Sequence, residues 1–290
     1  PIGSGGGRDT FTGGGSQFAV TDRAFNDDEV AADEFAGCVP GSGIVEIPNM
    51  ISPIAVIFNL EGVRSLDLDA ATIAGIFTGE ITTWSDPAIA DQNPGENLPD
   101  LTITAVHRAD DSGTTANFTD YLAANAPDVW SAGSVDSWPE EYAGEAAPQT
   151  SGVVDAVTNG TGTIGYADAS RAGDLGTVAV RVGDDYVPYS PEAASAIVDV
   201  STFLAGRGPY DLALELERDT DAAGVYPVVL ISYLVGCVEY VDPTRVELVK
   251  GYFSYIVSEE GQAAAAAAAG SAPISDALRE KAIAAIDAIH

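Results

Sequence analysis

The chain has 290 residues, a length that suggests about two domains with separate cores. Its 46% hydrophobic and 19% charged content is that of a globular protein, not a disordered one. The formal net charge of −32 excludes a nucleic-acid partner, because such a surface has nothing with which to neutralise a row of phosphates. Lysine occurs only at Lys250 and Lys281, so the acidic excess reads as a solvated shell kept soluble by self-repulsion, as in a salt-adapted or high-GC source.

In chain order, the first feature is a donor-rich turn, Gly3-Ser4-Gly5-Gly6-Gly7, directly after Pro1. With no signal peptide visible, the sequence is expected to be a processed or trimmed product. Glycines at 5 to 7 let backbone amides approach an anion with no Cβ in the way. A short strand-like run, Phe18–Thr21, ends at Asp22. Ile47–Asn59 has a buried-strand signature once past Pro53. Asp69 is placed to cap a helix that turns Ile73, Ile76 and Phe77 to one face and stops at Gly79. Turn chemistry follows at Trp84–Pro87 and Asn93–Gly95. Leu101–Val106 is a strand that delivers Arg108 and then Ser112-Gly113-Thr114, which opens a helical run, Thr115–Leu122. Gly152–Val157 reads as helix, Gly162–Tyr166 as strand and Pro227–Val238 as the strongest late strand. The tail reads as three helices, 245–257, 262–269 and 275–289, with the alanine run as ordinary helix. Alternating strands and helices give an α/β class, with ligand loops expected at the carboxyl ends of strands.

The stretch His107–Thr115 carries the most chemical information. A helix N-terminus exposes unpaired amides at a positive dipole end. Ser112 and Thr114 add hydroxyl donors there, and Arg108 adds a two-pronged charged donor. With the Gly3–Gly7 turn they suggest a cage for a small tetrahedral oxyanion. The acidic shell does not contradict this, because exposed charges are screened over about 8 Å at physiological salt while donors act at contact. His107, Asp110 and Ser112 have the residue types of a catalytic triad, but six residues of one turn cannot readily supply triad geometry. Two histidines and two cysteines show no metal-ligand spacing, and no Walker-type Gly-Lys-Ser/Thr is present. No apolar run reaches about 18 residues, so no membrane span is expected. Cys38 and Cys237 are equally compatible with two buried thiols and, in an exported chain, with a disulfide.

The segments Ile2–Gly7, Phe18–Asp22, Ile73–Ile89, Asn93–Gly95, Leu98–Asp100, Arg108–Thr114 and Gly162–Tyr166 occur in the order found in one known family. In them the chain resembles the phosphate-binding proteins of bacterial high-affinity phosphate ABC transporters, which have type II periplasmic-binding-protein folds. The resemblance implies two α/β lobes joined by two hinge strands, with ligand in the cleft. It implies a discontinuous first lobe, residues 1–58 and 228–290, and a second lobe, 59–227, with crossings near Phe58–Asn59 and Tyr226–Pro227. Carried over as phosphate ligands are Ser4, Asp22, Arg108, Ser112, Gly113 and Thr114, with Gly5 in support and Asp110 as the acid paired with the arginine. Two departures stand out. The family's first strand and its Gly-rich loop ending in Thr/Ser-Phe lie outside this sequence, and Asp111 occupies a position that is usually glycine. Asp111 is expected to face solvent as a helix N-terminal charge.

The functional expectation is an extracytoplasmic solute-binding protein, periplasmic or anchored at the cell surface as a lipoprotein. It would capture inorganic phosphate, use no cofactor, catalyse nothing, act as a monomer and deliver its ion to ABC permease membrane subunits. Asp22 is the expected discriminator. An acceptor-only carboxylate can take a hydrogen bond from the proton phosphate retains, whereas it meets sulfate as an unpaired like charge. The competing readings are a cell-surface structural or interaction protein with a degenerate anion site, and a secreted phosphatase. The second lacks an activated nucleophile or metal cluster.

Overall fold

The computed structural model describes residues 2–290. Helix α1 (Gly3–Thr12) is followed by β1 (Ala19–Thr21), α2 (Asp27–Ala32) and the long β2 (Ile44–Asn59). Next come β3 (Ser65–Leu68), α3 (Ala70–Thr78), α4 (Pro87–Ala90), β4 (Thr104–Arg108), α5 (Gly113–Asn125), β5 (Glu145–Ala147), α6 (Gln149–Asn159) and β6 (Thr163–Asp168). The rest are β7 (Gly176–Val182), β8 (Asp185–Val187), α7 (Pro191–Val200), β9 (Thr202–Phe203), β10 (Leu214–Glu215), β11 (Val229–Cys237), α8 (Val246–Val257), α9 (Glu259–Ala269) and α10 (Asp276–Ala288).

These elements form two compact units. One is Pro1–Ser52, Val198–Leu216 and Leu230–His290, and the other is Pro53–Ile197 and Glu217–Val229. The units have other bounds than the expected 1–58 with 228–290 against 59–227. Strands β2 and β11 each run from one unit into the other, but residues 198–216 return to the first unit as an excursion. Ion pairs hold that excursion in place. Arg207 meets Asp27 at 3.0 Å and Glu46 at 3.5 Å in the rest of the unit, besides Asp211 of the excursion itself at 3.1 Å, and the Leu212 amide donates to the Glu46 carbonyl.

In the first unit β1 pairs antiparallel with β11, Thr21 opposite Tyr233 and Ala19 opposite Val235. The expected donor turn at Gly3–Gly7 is instead the first half of α1, a correction that tertiary packing explains. Glycine is about 1 kcal/mol worse than alanine in a helix, so this segment has little propensity of its own. Burial of Phe11 against Phe25 and Phe35, and a bond from Arg8 to Thr21, hold it helical. Glycine at position 7 suits the packing, since a Cβ there would lie 3.3 Å from the Val20 carbonyl. Cys38 and Cys237 form a disulfide with Cα atoms 5.1 Å apart, which resolves the alternative left open by sequence. Ser258 caps α9 and Ser275 caps α10, so the tail helices start close to where expected.

In the second unit the outer half of β2 pairs antiparallel with β6, Ile54 opposite Asp168 and Asn59 opposite Thr163. Strand β6 pairs parallel with β4, and β4 parallel with β5. Strand β7 pairs with β2, β3 and β8. Helix α6 covers the sheet with Val153 and Val157, packed on Ala55, Ile57, Val106 and Ala167. Asp69 caps α3 by accepting from the Thr72 amide, and Gly79 ends it in the left-handed region at φ 83°. Trp84 is buried with its indole N–H on the Gly162 carbonyl, while Trp130 and Trp138 bond to Gly133 and Tyr142 carbonyls.

Candidate functional site

Strand β4 lies between β5 and β6 and ends at Arg108, which is buried. The guanidinium is clasped from one side. Nε donates to Asp110 Oδ1 at 2.8 Å and Nη2 donates to Asp110 Oδ2. The Gln149 amide, at the start of α6, donates to the same Oδ1 at 2.9 Å. Gln149 holds a left-handed φ of 59°, a costly backbone state for a non-glycine residue that this bond helps to retain. Burial alone would raise the Asp110 carboxyl, but the bonds from Arg108 and the Gln149 amide outweigh it and hold the group below its ordinary value. The clasp therefore contains one cation and one anion. Nη1 of Arg108 lies outside the clasp and donates to Thr150 Oγ1 at 3.5 Å.

Helix α5 begins five residues beyond the arginine. Ser112 is its cap, and its Oγ accepts from the Thr115 amide at 3.2 Å. The amides of Gly113 and Thr114, in the first turn, have no intrahelical acceptor by construction. The Ser112 hydroxyl, with an amide occupying its oxygen, retains one proton to donate. These residues are buried, so their donors act where water does not compete. Tyr166 of β6 ties strand to helix: its hydroxyl accepts from the Arg108 amide and bonds to Thr115 Oγ1 at 2.8 Å. Burial pushes this phenol up to about 12, so it stays protonated. His107 stacks on Trp138 at 4.7 Å with Nδ1 3.0 Å from the Arg108 carbonyl, and burial lowers its pKa. It is a structural neighbour of the arginine, as expected. Asp111 is exposed and accepts from Ser137.

Ser4, Gly5 and Asp22 lie in the first unit. Ser4 and Gly5 occupy the first turn of α1, whose leading residue Ile2 supplies no side-chain cap. The Asp22 amide donates to Ser4 Oγ at 3.1 Å, and the Ser4 hydroxyl donates to Asp22 Oδ2 at 3.3 Å. Ser232 donates to Asp22 Oδ1 at 2.5 Å. As at Ser112, an amide fills the Ser4 oxygen, and here the single hydroxyl proton is given to Asp22 Oδ2. The sequence-derived residues thus form two groups, Ser4–Gly5–Asp22 in one unit and Arg108–Asp110–Ser112–Gly113–Thr114 in the other.

Comparison with known proteins decides the family. The model of the PBP superfamily domain matches residues 1–260. Phosphate-binding protein PstS 3 of Mycobacterium tuberculosis is 34% identical over 297 residues, 99% of this chain and 77% of that protein. The chain belongs to the PstS family of phosphate-binding proteins. Among solved structures, a high-affinity periplasmic phosphate-binding protein (PfluDING) bound with phosphate superposes with a TM-score of 0.76 at 22% identity, covering 98% of this chain and 85% of that one. A putative phosphate ABC transporter substrate-binding protein with bound phosphate from Clostridium perfringens gives 0.63 at 22% identity, covering 92% and 84%. These likenesses carry the type II periplasmic-binding-protein fold. PstS proteins are solute-binding proteins of transporters, not enzymes.

Sequence reasoning missed three partners in this PstS chain. Tyr166 and Gln149 carried no local signal, since each acts through a contact distant in sequence. Ser232 did carry one: it is a small polar residue in an otherwise apolar strand, and buried hydroxyls need partners. Among the described residues, no group of three His, Cys, Asp or Glu side chains could hold a metal ion. Among them too, no helix is long and apolar enough to cross a membrane.

Proposed function

We propose that this chain captures inorganic phosphate outside the cytoplasm and passes it to an ABC permease, with Ser4, Asp22, Arg108, Ser112, Gly113 and Thr114 as the ligands of the ion. The observation that carries the reading is the clasped Arg108 beside a serine-capped helix start, in a chain whose relatives are named for binding phosphate. The Arg108–Asp110 pair brings no net charge to the ion, so binding rests on oriented dipoles and one guanidinium edge. Hydrogen bonds involving charged groups contribute about 1.5–3 kcal/mol each, so a handful of them supports micromolar or tighter binding. Asp22 accepts the proton that phosphate retains and opposes sulfate, which has none to offer.

The Cys38–Cys237 disulfide supports an oxidising, extracytoplasmic setting. In this reading the protein acts as a monomer beside its permease membrane subunits, in the periplasm or tethered to the cell surface by a lipid. Calorimetric titration tests the reading: phosphate should bind at micromolar concentration or below, and sulfate at least ten to a hundred times more weakly. Absence of phosphate binding, or equal binding of sulfate, would refute it and return the chain to the role of a surface interaction protein.

A further inference from the structure

Asn117 stands one helical turn beyond Gly113 in α5, and its side chain reaches back to that residue: Nδ2 donates to the Gly113 carbonyl at 2.8 Å. Its Oδ1 accepts from Nη2 of Arg218 at 2.5 Å. A guanidinium only donates and a carbonyl only accepts, so the two contacts fit a single orientation of the side-chain amide. Arg218 is buried, and its Nε and Nη1 are fixed as well. Nε donates to Asp120 Oδ2, on the same helix. Nη1 donates to the Pro227 carbonyl at 2.9 Å and to the Val229 carbonyl at 3.2 Å, where the chain is about to leave the second unit. The Asn125 side chain donates to the Arg218 carbonyl at 2.9 Å, which holds the arginine backbone to α5. All of these residues belong to the second unit, as do Gly113 and Thr114.

We propose that Arg218 is a positioning residue for the oxyanion site, acting through Asn117 on the peptide that joins Gly113 to Thr114. The Gly113 carbonyl and the Thr114 N–H belong to one planar, resonant unit. A bond accepted by the carbonyl draws electron density towards its oxygen and leaves the amide proton more positive. Hydrogen bonds in series polarise one another by about 10–30% per bond, and the first donor of this series is a cation. The series runs from guanidinium to side-chain amide to peptide. It ends on an N–H in the first turn of α5, which has no acceptor within the helix. The strand carbonyls at Nη1 and the Asp120 carboxylate at Nε set the plane of the fork, and the fork sets the side chain of Asn117. The inference rests on the reading of Gly113 and Thr114 as ligands of the ion.

The test combines phosphate calorimetry, thermal melts and NMR of the ion-free protein for Arg218→Lys, Asn117→Ala and the double variant. Asn117→Ala removes the donor to Gly113. The Gly113 carbonyl carbon and the Thr114 amide nitrogen should then both move upfield, and phosphate should bind about three- to tenfold more weakly. Lysine keeps the charge but cannot serve Asn117, Asp120 and the strand together, so it should give smaller changes in the same directions. In the double variant the lysine change should add less than about twofold to the alanine loss, since both cut one series. A merely structural role would lower the melt of Arg218→Lys and leave the two shifts and the affinity in place, and that result overturns the proposal. Losses that multiply in the double variant also overturn it. If the parent itself binds no phosphate, the reading of the site fails, and the shifts of the ion-free protein still decide whether Arg218 acts on this peptide. Should Arg218→Lys not fold, Asn117→Asp takes its place, keeping an acceptor for Arg218 and losing the donor to Gly113. Both shifts should then move as in the alanine variant, and unmoved shifts overturn the proposal.

Discussion

Replacing Arg108 with lysine separates charge from geometry. The guanidinium gives Nε and one Nη2 proton to Asp110 and Nη1 to Thr150 Oγ1; in the proposed site that Nη1 edge serves the ion. A lysine ammonium keeps the charge but has no planar fork, so it can serve Asp110 or the ion well, not both. At least one charge-assisted bond to the ion is lost, about 1.5–3 kcal/mol. At about 1.4 kcal/mol per decade, phosphate affinity should fall roughly ten- to 150-fold. Folding should suffer little. Asp110 stays partly exposed, with its side chain 27% accessible, and retains the Gln149 amide as a donor. Isothermal titration calorimetry reads the affinity and a thermal melt reads the fold. Arg108→Lys binding phosphate within threefold of the parent, with an unchanged melt, would refute the role assigned to the fork.

Asp22→Asn should narrow the gap between phosphate and sulfate, since the amide can donate where the carboxylate only accepts; competition calorimetry checks it, and an unchanged ratio counts against the acid. The buried pair Glu46 and Asp211 should make stability fall as pH rises. Burial first, then their mutual repulsion, push Glu46 well above the carboxylate range, and burial raises Asp211 despite the Ala213 amide and Arg207. Folded-state values above the unfolded ones mean the stabilisation is complete below the ordinary carboxylate range and is lost as pH rises through the folded values. The slope is about 1.4 kcal/mol per pH unit per retained proton, and Glu46→Gln should flatten it in urea melts between pH 5 and 8. An unaltered slope would show that the pair holds no extra proton. Reducing the Cys38–Cys237 bond should lower the stability of the first unit by up to about 5 kcal/mol, given a sequence separation of 199. Differential scanning calorimetry with and without reductant measures this, and coincident scans would refute it. Ser112→Ala should cost about 1 kcal/mol of stability through the lost cap, and should also weaken phosphate binding by removing a donor. Titration and melts of the same variant separate the two effects.

Sequence was most informative where a residue and its partner lie within one turn. Asp69 caps the Thr72 amide three residues away, and Gly79 ends the same helix by its own backbone freedom. Ser112 likewise caps α5 within its own turn. The strand around Ile47–Asn59 was legible because burial on both faces demands unbroken apolar side chains, although β2 begins earlier, at Ile44. Strand β4 runs later than the expected Leu101–Val106, at Thr104–Arg108, because pairing with β5 and β6 and not hydropathy sets its ends.

The α/β class, the helix caps and the residue types able to hold an oxyanion were determined by local composition and spacing, because turn geometry and amide polarity are short-range properties of the chain. Tertiary structure alone decided the rest. It made a helix of the glycine run at Gly3–Gly7, joined Cys38 to Cys237, and returned residues 198–216 to the first unit. It also placed Ser232 against Asp22 and Tyr166 against Arg108. Each of these depends on strand register and on contacts between residues far apart in the chain, whose energies exist only once the backbone has folded.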